Sequence, residues 1–279
     1  MVSASIVSYK NKPDVLAKTI DSYLSATDTS KLYVIDNSPT DAAREICRHP
    51  RIHYIFNPTN VGYGRAHNIA MQESLQTSKY HLVLNPDVAF EQHVLRELVM
   101  YMEKNSDVGL VMPKVLYPDG RLQPLCKLLP EPHHLFARRF LVPFKKMLDR
   151  INHEYEMLFT EYNKVTEVPF LSGCFMLLRT QALQTVGMFD ERFFLYFEDT
   201  DLSRRINQRY KTMFYPEVSV RHVHERKSYK DFKILLHHIK STFHYFNKWG
   251  WFVDKERDAV NRKILIKYKV NGYAREINK

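Results

Sequence analysis

Three carboxylates crowd one short stretch of the chain. In FLYFEDTDLSRR (194–205) an apolar and aromatic lead-in runs into Glu198, Asp199 and Asp201, where a helix pattern begins, and two arginines follow. Such a group can favour a helix start, because the helix dipole attracts negative charge to its N-terminus. It can also bind a metal, or take a proton from a substrate where aromatic walls limit water and tune the carboxyl pKa. Other places offer related chemistry. Asp36 closes the apolar run of VIDNSPTD (34–41) and either shapes a turn or accepts from ring N–H and ribose hydroxyl groups. LVLNPDV (82–88) ends in Asn85-Pro86-Asp87, two oxygen-bearing side chains around a stiff proline. Mg2+ and Mn2+ favour such hard ligands beside phosphates, while a plain turn is the alternative. SVRHVHERKS (219–228) sets His222 and His224 after a strand, as metal ligands, phosphate contacts or exposed side chains.

The elements that must position these residues alternate in type. Strand patterns at 4–9, 31–36, 51–56 and 80–84 are interleaved with helix patterns at 13–24, 64–75 and 91–104. That alternation predicts a mostly parallel central sheet flanked by helices, an α/β fold whose ligands sit outside the carboxyl ends of the strands. Asp36 and Asp87 both fall at those ends. NPTNVGYGRAHNIA (57–70) places Gly62 and Gly64 before a helix whose first turn can face an anion, though the pattern is not GxGxxG. Further on, 108–123 reads as two strands around a Pro-Asp-Gly turn. Residues 124–165 read as a long loop of the lid or binding kind. A buried strand (168–179), a short helix, an amphipathic helix (199–210), strands near TMFYP and VSVRH, and two C-terminal helices from Tyr229 follow.

Composition narrows the class. The 279 residues are 44% hydrophobic and 26% charged, with 13% aromatics and only 8 glycines, the make-up of a folded globular chain. The 3 cysteines are far apart and odd in number, which argues against a disulfide framework and fits a reducing compartment. SASIVSY at the start is a strand pattern and not a charged-then-apolar leader, and no apolar run is long enough to span a bilayer. A cytoplasmic location is expected, with peripheral membrane contact as an option. Of the net +10, the segment from Arg221 onward carries +9, from 15 Lys and Arg against 6 Asp and Glu. That tail suits an anionic partner. Nucleic acid is disfavoured, because no RNP, helix-turn-helix or zinc signature accompanies the charge. Phe243, Tyr245, Phe246, Trp249, Trp251 and Phe252 lie among lysines, as in a helix resting on a membrane surface, a helix packing on the core, or a dimer contact.

Taken in order, IVSY, VIDNSPTD, NVGYGRAHN, LNPDV, PKVLYPDGRLQ, LSGCFMLLR, GMFDERFFLYFEDTDLSRR and RHVHERKS resemble inverting glycosyltransferase family 2, most of all its bacterial rhamnosyltransferase branch. The resemblance spans about residues 3–228. It implies a GT-A fold with a Rossmann-like nucleotide-sugar half (1–112), an acceptor-binding and catalytic half (113–228), and a helical appendage (229–279). It implies donor-nucleotide contacts from Asp36, Asn60, Gly62, Tyr63, Asn68 and Asn85. A divalent metal, Mg2+ or Mn2+, would rest on Asp87 with His222, or less securely His224. Asp199 would be the catalytic base with Glu198 beside it, and Asp201 and Gln123 would lie toward the acceptor. The implied reaction moves L-rhamnose from dTDP-L-rhamnose, or alternatively a sugar from a UDP donor, onto a saccharide, free or carried on a polyprenyl diphosphate. A basic binding protein without catalysis is the remote alternative, disfavoured because the acidic group is intact.

Overall fold

The computed structural model describes residues 1–135, 144–223 and 232–270; His224 therefore lies outside the described residues. The first half holds β1 (Val2–Ser8), α1 (Pro13–Ala26), β2 (Leu32–Asp36), β3 (Ile52–Phe56), α2 (Tyr63–Thr77), β4 (Tyr80–Leu84), β5 (Val88–Ala89) and α3 (Gln92–Lys104). β1, β2 and β4 are buried along their whole length, as strands covered by helices on both faces must be. In α3 the buried residues Val94, Leu95, Leu98 and Met102 follow the helical period and face the sheet.

Beyond them come β6 (Val108–Leu116), β7 (Cys126–Lys127), α4 (Lys145–Tyr155), β8 (Thr166–Glu167), β9 (Phe170–Leu171) and β10 (Phe175–Arg179). The chain then forms α5 (Thr180–Val186), α6 (Glu198–Asn207), β11 (Lys211–His222), α7 (Phe232–Trp249) and α8 (Lys255–Lys267). The main sheet runs β3-β2-β1-β4-β10-β6-β11-β5, with β8 paired to β11. It is mixed. The expected parallel order holds over β3-β2-β1-β4, whereas β10 runs antiparallel to both β4 and β6. The reversal matters for the site. Ser8 pairs with Asp36 and Phe175 with Leu84, so one sheet edge collects the carboxyl ends of β1, β2 and β4 and the amino end of β10.

The 108–123 segment forms one long strand and a turn, and its second expected strand is reduced to a single bridge, Leu116 to Leu122. TMFYP and VSVRH are likewise one strand, β11, whose pairing with β6 is broken between Tyr215 and Ser219. The expected 124–165 loop holds α4 and contributes to the core in its described parts. Leu128, Leu129, Tyr155, Met157 and Tyr162 are buried, and Asn261 of α8 bonds both the N–H and the carbonyl of Leu129, each at 2.9 Å. Leu128, Leu129, Met157 and Tyr162 pack from backbone outside α4, so they show no period.

The C-terminal helices are fastened to the core. Arg204 of α6 is fully buried, donates to both carboxylate oxygens of Asp254 at 2.7 Å, and lies 4.0 Å from the centre of the Trp249 ring. Asp254 also caps α8 by accepting from the Arg257 N–H. Tyr245 and Phe246 are buried against Phe193 and Phe197, while Phe243 and Phe252 stay exposed. The aromatic tail thus divides between packing on the core and facing solvent. No described helix is long and apolar enough to cross a membrane.

Candidate active site

Asp199 opens α6, and the backbone before it is forced. Tyr196 and Phe197 both adopt left-handed φ, 69° and 68°. Non-glycine residues rarely do so, at a cost on the order of 1–3 kcal/mol each, and such strain gathers at functional sites. Burial of Phe197 among Tyr245 and Phe246 holds the turn in place. Asp199 Oδ2 accepts from the Gly173 N–H at 2.9 Å and Oδ1 from the Thr200 N–H at 2.8 Å. Glycine at 173 eases this approach, since a Cβ there would stand 3.2 Å from the Asp199 Cβ and push it back by a few tenths of an ångström. Burial raises the Asp199 pKa, against the lowering effect of the Gly173 N–H, the Lys127 charge and Thr200. Glu198 is pushed well above the usual carboxylate range by burial and by the adjacent Asp199. Of this pair only Asp199 has backbone N–H groups, those of Gly173 and Thr200, aimed at its carboxylate oxygens.

A chain of hydrogen bonds joins Asp199 to the strand ends. The Tyr63 hydroxyl lies 2.8 Å from the Gly173 carbonyl and 2.9 Å from Asn85 Oδ1, and the Asn85 N–H donates to the Cys174 carbonyl. Asn85 Nδ2 is 3.2 Å from His222 Nε2, which is 3.4 Å from Asp87 Oδ1. Burial first, then Glu198, Cys174, Asp199 and Asp87, hold the Tyr63 hydroxyl well above its ordinary pKa.

Gln123 decides which way His222 presents its nitrogens. The Gln123 amide nitrogen donates to the His222 carbonyl at 2.7 Å, so its oxygen faces His222 Nδ1 at 2.9 Å. Nδ1 then carries a proton, and Nε2 is the nitrogen turned toward Asn85 and Asp87. An imidazole and a carboxylate are ligand types that suit a divalent cation, and a hydrogen-bonded outer partner is what a ligating histidine ordinarily has. Asn85, whose Oδ1 accepts from Tyr63 and whose Nδ2 faces His222, supports the pair from behind. The donor set fits Mg2+ or Mn2+. Gln123 itself is buried behind His222, not toward an acceptor as the sequence suggested.

Other expected residues have structural posts. Asp201 is fully buried and binds Arg205, Lys248 and the Trp249 indole N–H, so it anchors α7 and does not face an acceptor. Asn68 spends its amide on the backbone of Phe189 and on Glu191 Oε1, and it clamps that loop in place of reading a nucleotide. Arg205 caps α5 through the carbonyls of Val186, Gly187 and Met188. Asp36 ends β2 enclosed by the Tyr54 hydroxyl at 2.8 Å and the Ser38 N–H at 3.0 Å. Asn60 accepts the Gly62 N–H, and Gly62, with φ +94°, passes so close to Phe194 that a Cβ would meet its carbonyl at 2.7 Å. Lys127, Gly173 and the Gln123–His222 link carried no signal of spacing in the sequence.

A partly parallel sheet with an inserted antiparallel strand, flanked by helices, is the arrangement of the GT-A class of folds. Solved structures agree. The protein superposes on GalNAc-T7 with UDP, GalNAc and Mn2+ at a TM-score of 0.58 (15% identity, 80% of this chain and 44% of that one). It superposes on S. aureus TarS 1–349 at 0.57, with 13% identity over 98% of this chain and 73% of that one. The glycosyl transferase family 2 profile matches residues 5–187, and the chain belongs to that family. Curated relatives include the hexosyltransferase Agl10 of low-salt glycan biosynthesis in Haloferax volcanii, 26% identical over 73% of this chain. The chain spans 61% of the length of that relative. They include the N-acetylglucosaminyl-diphospho-decaprenol L-rhamnosyltransferase of Mycobacterium tuberculosis, 27% identical over 75% of this chain and 71% of its own length. The rhamnosyltransferase WbbL of Escherichia coli K12 is 26% identical over 94% of this chain and 98% of its own.

Proposed function

We propose that the protein is an inverting glycosyltransferase that moves L-rhamnose from dTDP-L-rhamnose to a hydroxyl of a saccharide, carried on a polyprenyl diphosphate, in cell-surface polysaccharide synthesis. The observation that carries the reading is the hydrogen-bonded chain from Asp199 through Gly173, Tyr63 and Asn85 to His222. It sets a base-type carboxylate and a metal-type cluster against one sheet edge. The donor sugar rests on the rhamnosyltransferase relatives.

In this reading Asp199 takes the proton of the acceptor hydroxyl as that oxygen bonds to the anomeric carbon, while the bond from that carbon to the diphosphate oxygen breaks on the opposite face. The Gly173 and Thr200 N–H groups fix the carboxylate and leave lone pairs for the incoming proton. Asp87 and His222 would hold the divalent metal, which would offset charge on the departing diphosphate. Asp36, Asn60, Gly62, Tyr63 and Asn85 form the donor side. A cytoplasmic enzyme touching the membrane through its C-terminal helices fits such an acceptor.

The test is a panel of dTDP-rhamnose, UDP-glucose, UDP-galactose and UDP-N-acetylglucosamine, each with Mg2+ or Mn2+, scored for binding and slow donor hydrolysis. Selective binding of the dTDP sugar is expected. Preference for a UDP sugar would reassign the donor, and binding of none would defeat the transferase reading.

A further inference from the structure

The helix α7 has two faces with different fates. Its inner face serves the catalytic half: Ser241 donates to the Leu195 carbonyl at 2.9 Å, and His237 stacks on Phe194 with ring centres 4.1 Å apart. On the outer face Phe232, Leu236, Ile239 and Phe243 are 72%, 49%, 43% and 53% exposed. Their spacing of four, three and four residues aligns them in one stripe. The turn after the helix adds Phe252 and Val253, 82% and 79% exposed. A run of large apolar side chains facing water marks a contact surface.

Charge identifies the occupant. No acidic residue occurs between Phe232 and Val253, and the exposed Lys233 and Lys240 border the stripe, while Lys248 turns inward to Asp190 and Asp201. A second copy docked through a two-fold contact would bring the same lysines toward one another. An anionic lipid surface takes both the apolar stripe and the cations at its rim.

We propose that α7 lies in the plane of an anionic membrane, with Phe232, Leu236, Ile239 and Phe243 in the interface and Phe252 and Val253 extending it. The purpose rests on the transferase reading, although the binding does not. The helix holds residues 194–197, which lead directly into Asp199, so docking fixes the base relative to a lipid-carried acceptor.

The test uses the full chain with phosphatidylcholine vesicles, with and without phosphatidylglycerol, at low and higher salt. The wild type is expected to sediment with the anionic vesicles, less so as salt rises. The Leu236→Asp/Phe243→Asp variant is expected to lose about tenfold or more of that affinity. It should melt normally and transfer normally to a water-soluble acceptor. Wild type that ignores anionic vesicles, or a double variant that binds them equally well, overturns the proposal. So does a wild-type dimer that the double variant splits, because a second copy would then occupy the stripe. Vesicle binding without any sugar transfer would instead sink the enzymatic reading and leave the docking intact.

Discussion

Replacing Gln123 by leucine keeps the side chain's approximate volume and deletes both of its links to His222. One is the acceptor for Nδ1–H, at 2.9 Å, and the other is the donor to the His222 carbonyl, at 2.7 Å. Each net hydrogen bond is worth roughly 0.5–1.5 kcal/mol, and each buried partner left alone costs about 1–3 kcal/mol. Stability should fall by about 2–4 kcal/mol. The imidazole also loses the contact that fixes its tautomer and aim. Outer-shell losses of this kind weaken metal binding ~10–100-fold. Mn2+ titration by calorimetry in the presence of a nucleoside diphosphate measures the second effect, and thermal unfolding measures the first. Lower stability with unchanged Mn2+ affinity would refute the reasoning, because Gln123 would then be packing alone.

Asp87→Ala should abolish the gain in nucleotide affinity that Mg2+ or Mn2+ provides, and metal-independent affinity should stay; an unchanged gain removes Asp87 from the metal site. Lys127→Met removes a positive charge that lowers the Asp199 pKa, which burial already raises. Because the base works only when charged, activity appears as pH rises through that pKa, so the acid limb of the kcat/KM profile should move to higher pH. A limb that stays in place would show that Lys127 does not act on Asp199. Asp254→Ala removes the bidentate partner of the buried Arg204, leaving Glu256 at 3.0 Å as its remaining carboxylate, and uncaps α8, and should cost about 3–5 kcal/mol in chemical denaturation. A loss below roughly 1 kcal/mol would mean the pair is solvated and weak.

The sequence was legible where local rules and tertiary demands agree. The strands of the first half carry their own apolar runs, so their parallel arrangement and carboxyl ends could be read, and with them the positions of Asp36, Asn85 and Asp87 at those ends. The acidic cluster was legible as chemistry but not as geometry. Spacing cannot separate Asp199, aimed at Gly173, from Asp201, two residues on and turned into the core toward Lys248 and Trp249. Gln123 and His222 are 99 positions apart, and Lys127 reaches Asp199 through β7, a strand of two residues. Such meetings arise from sheet order, in particular from the reversed β10, which no local pattern announces. The tail stayed open between a buried and an exposed face for a related reason. Aromatic content is the same for a buried and an exposed helix face, and only the packing of α7 separates Phe246 from Phe243.

The central claim is that Asp199 is the base of an inverting sugar transfer. Single-turnover transfer by Asp199→Asn, with donor binding measured in parallel, tests it most directly. The account predicts a rate lower by about 10²–10⁴ with donor affinity unchanged. A variant that transfers sugar at a near-normal rate would contradict it.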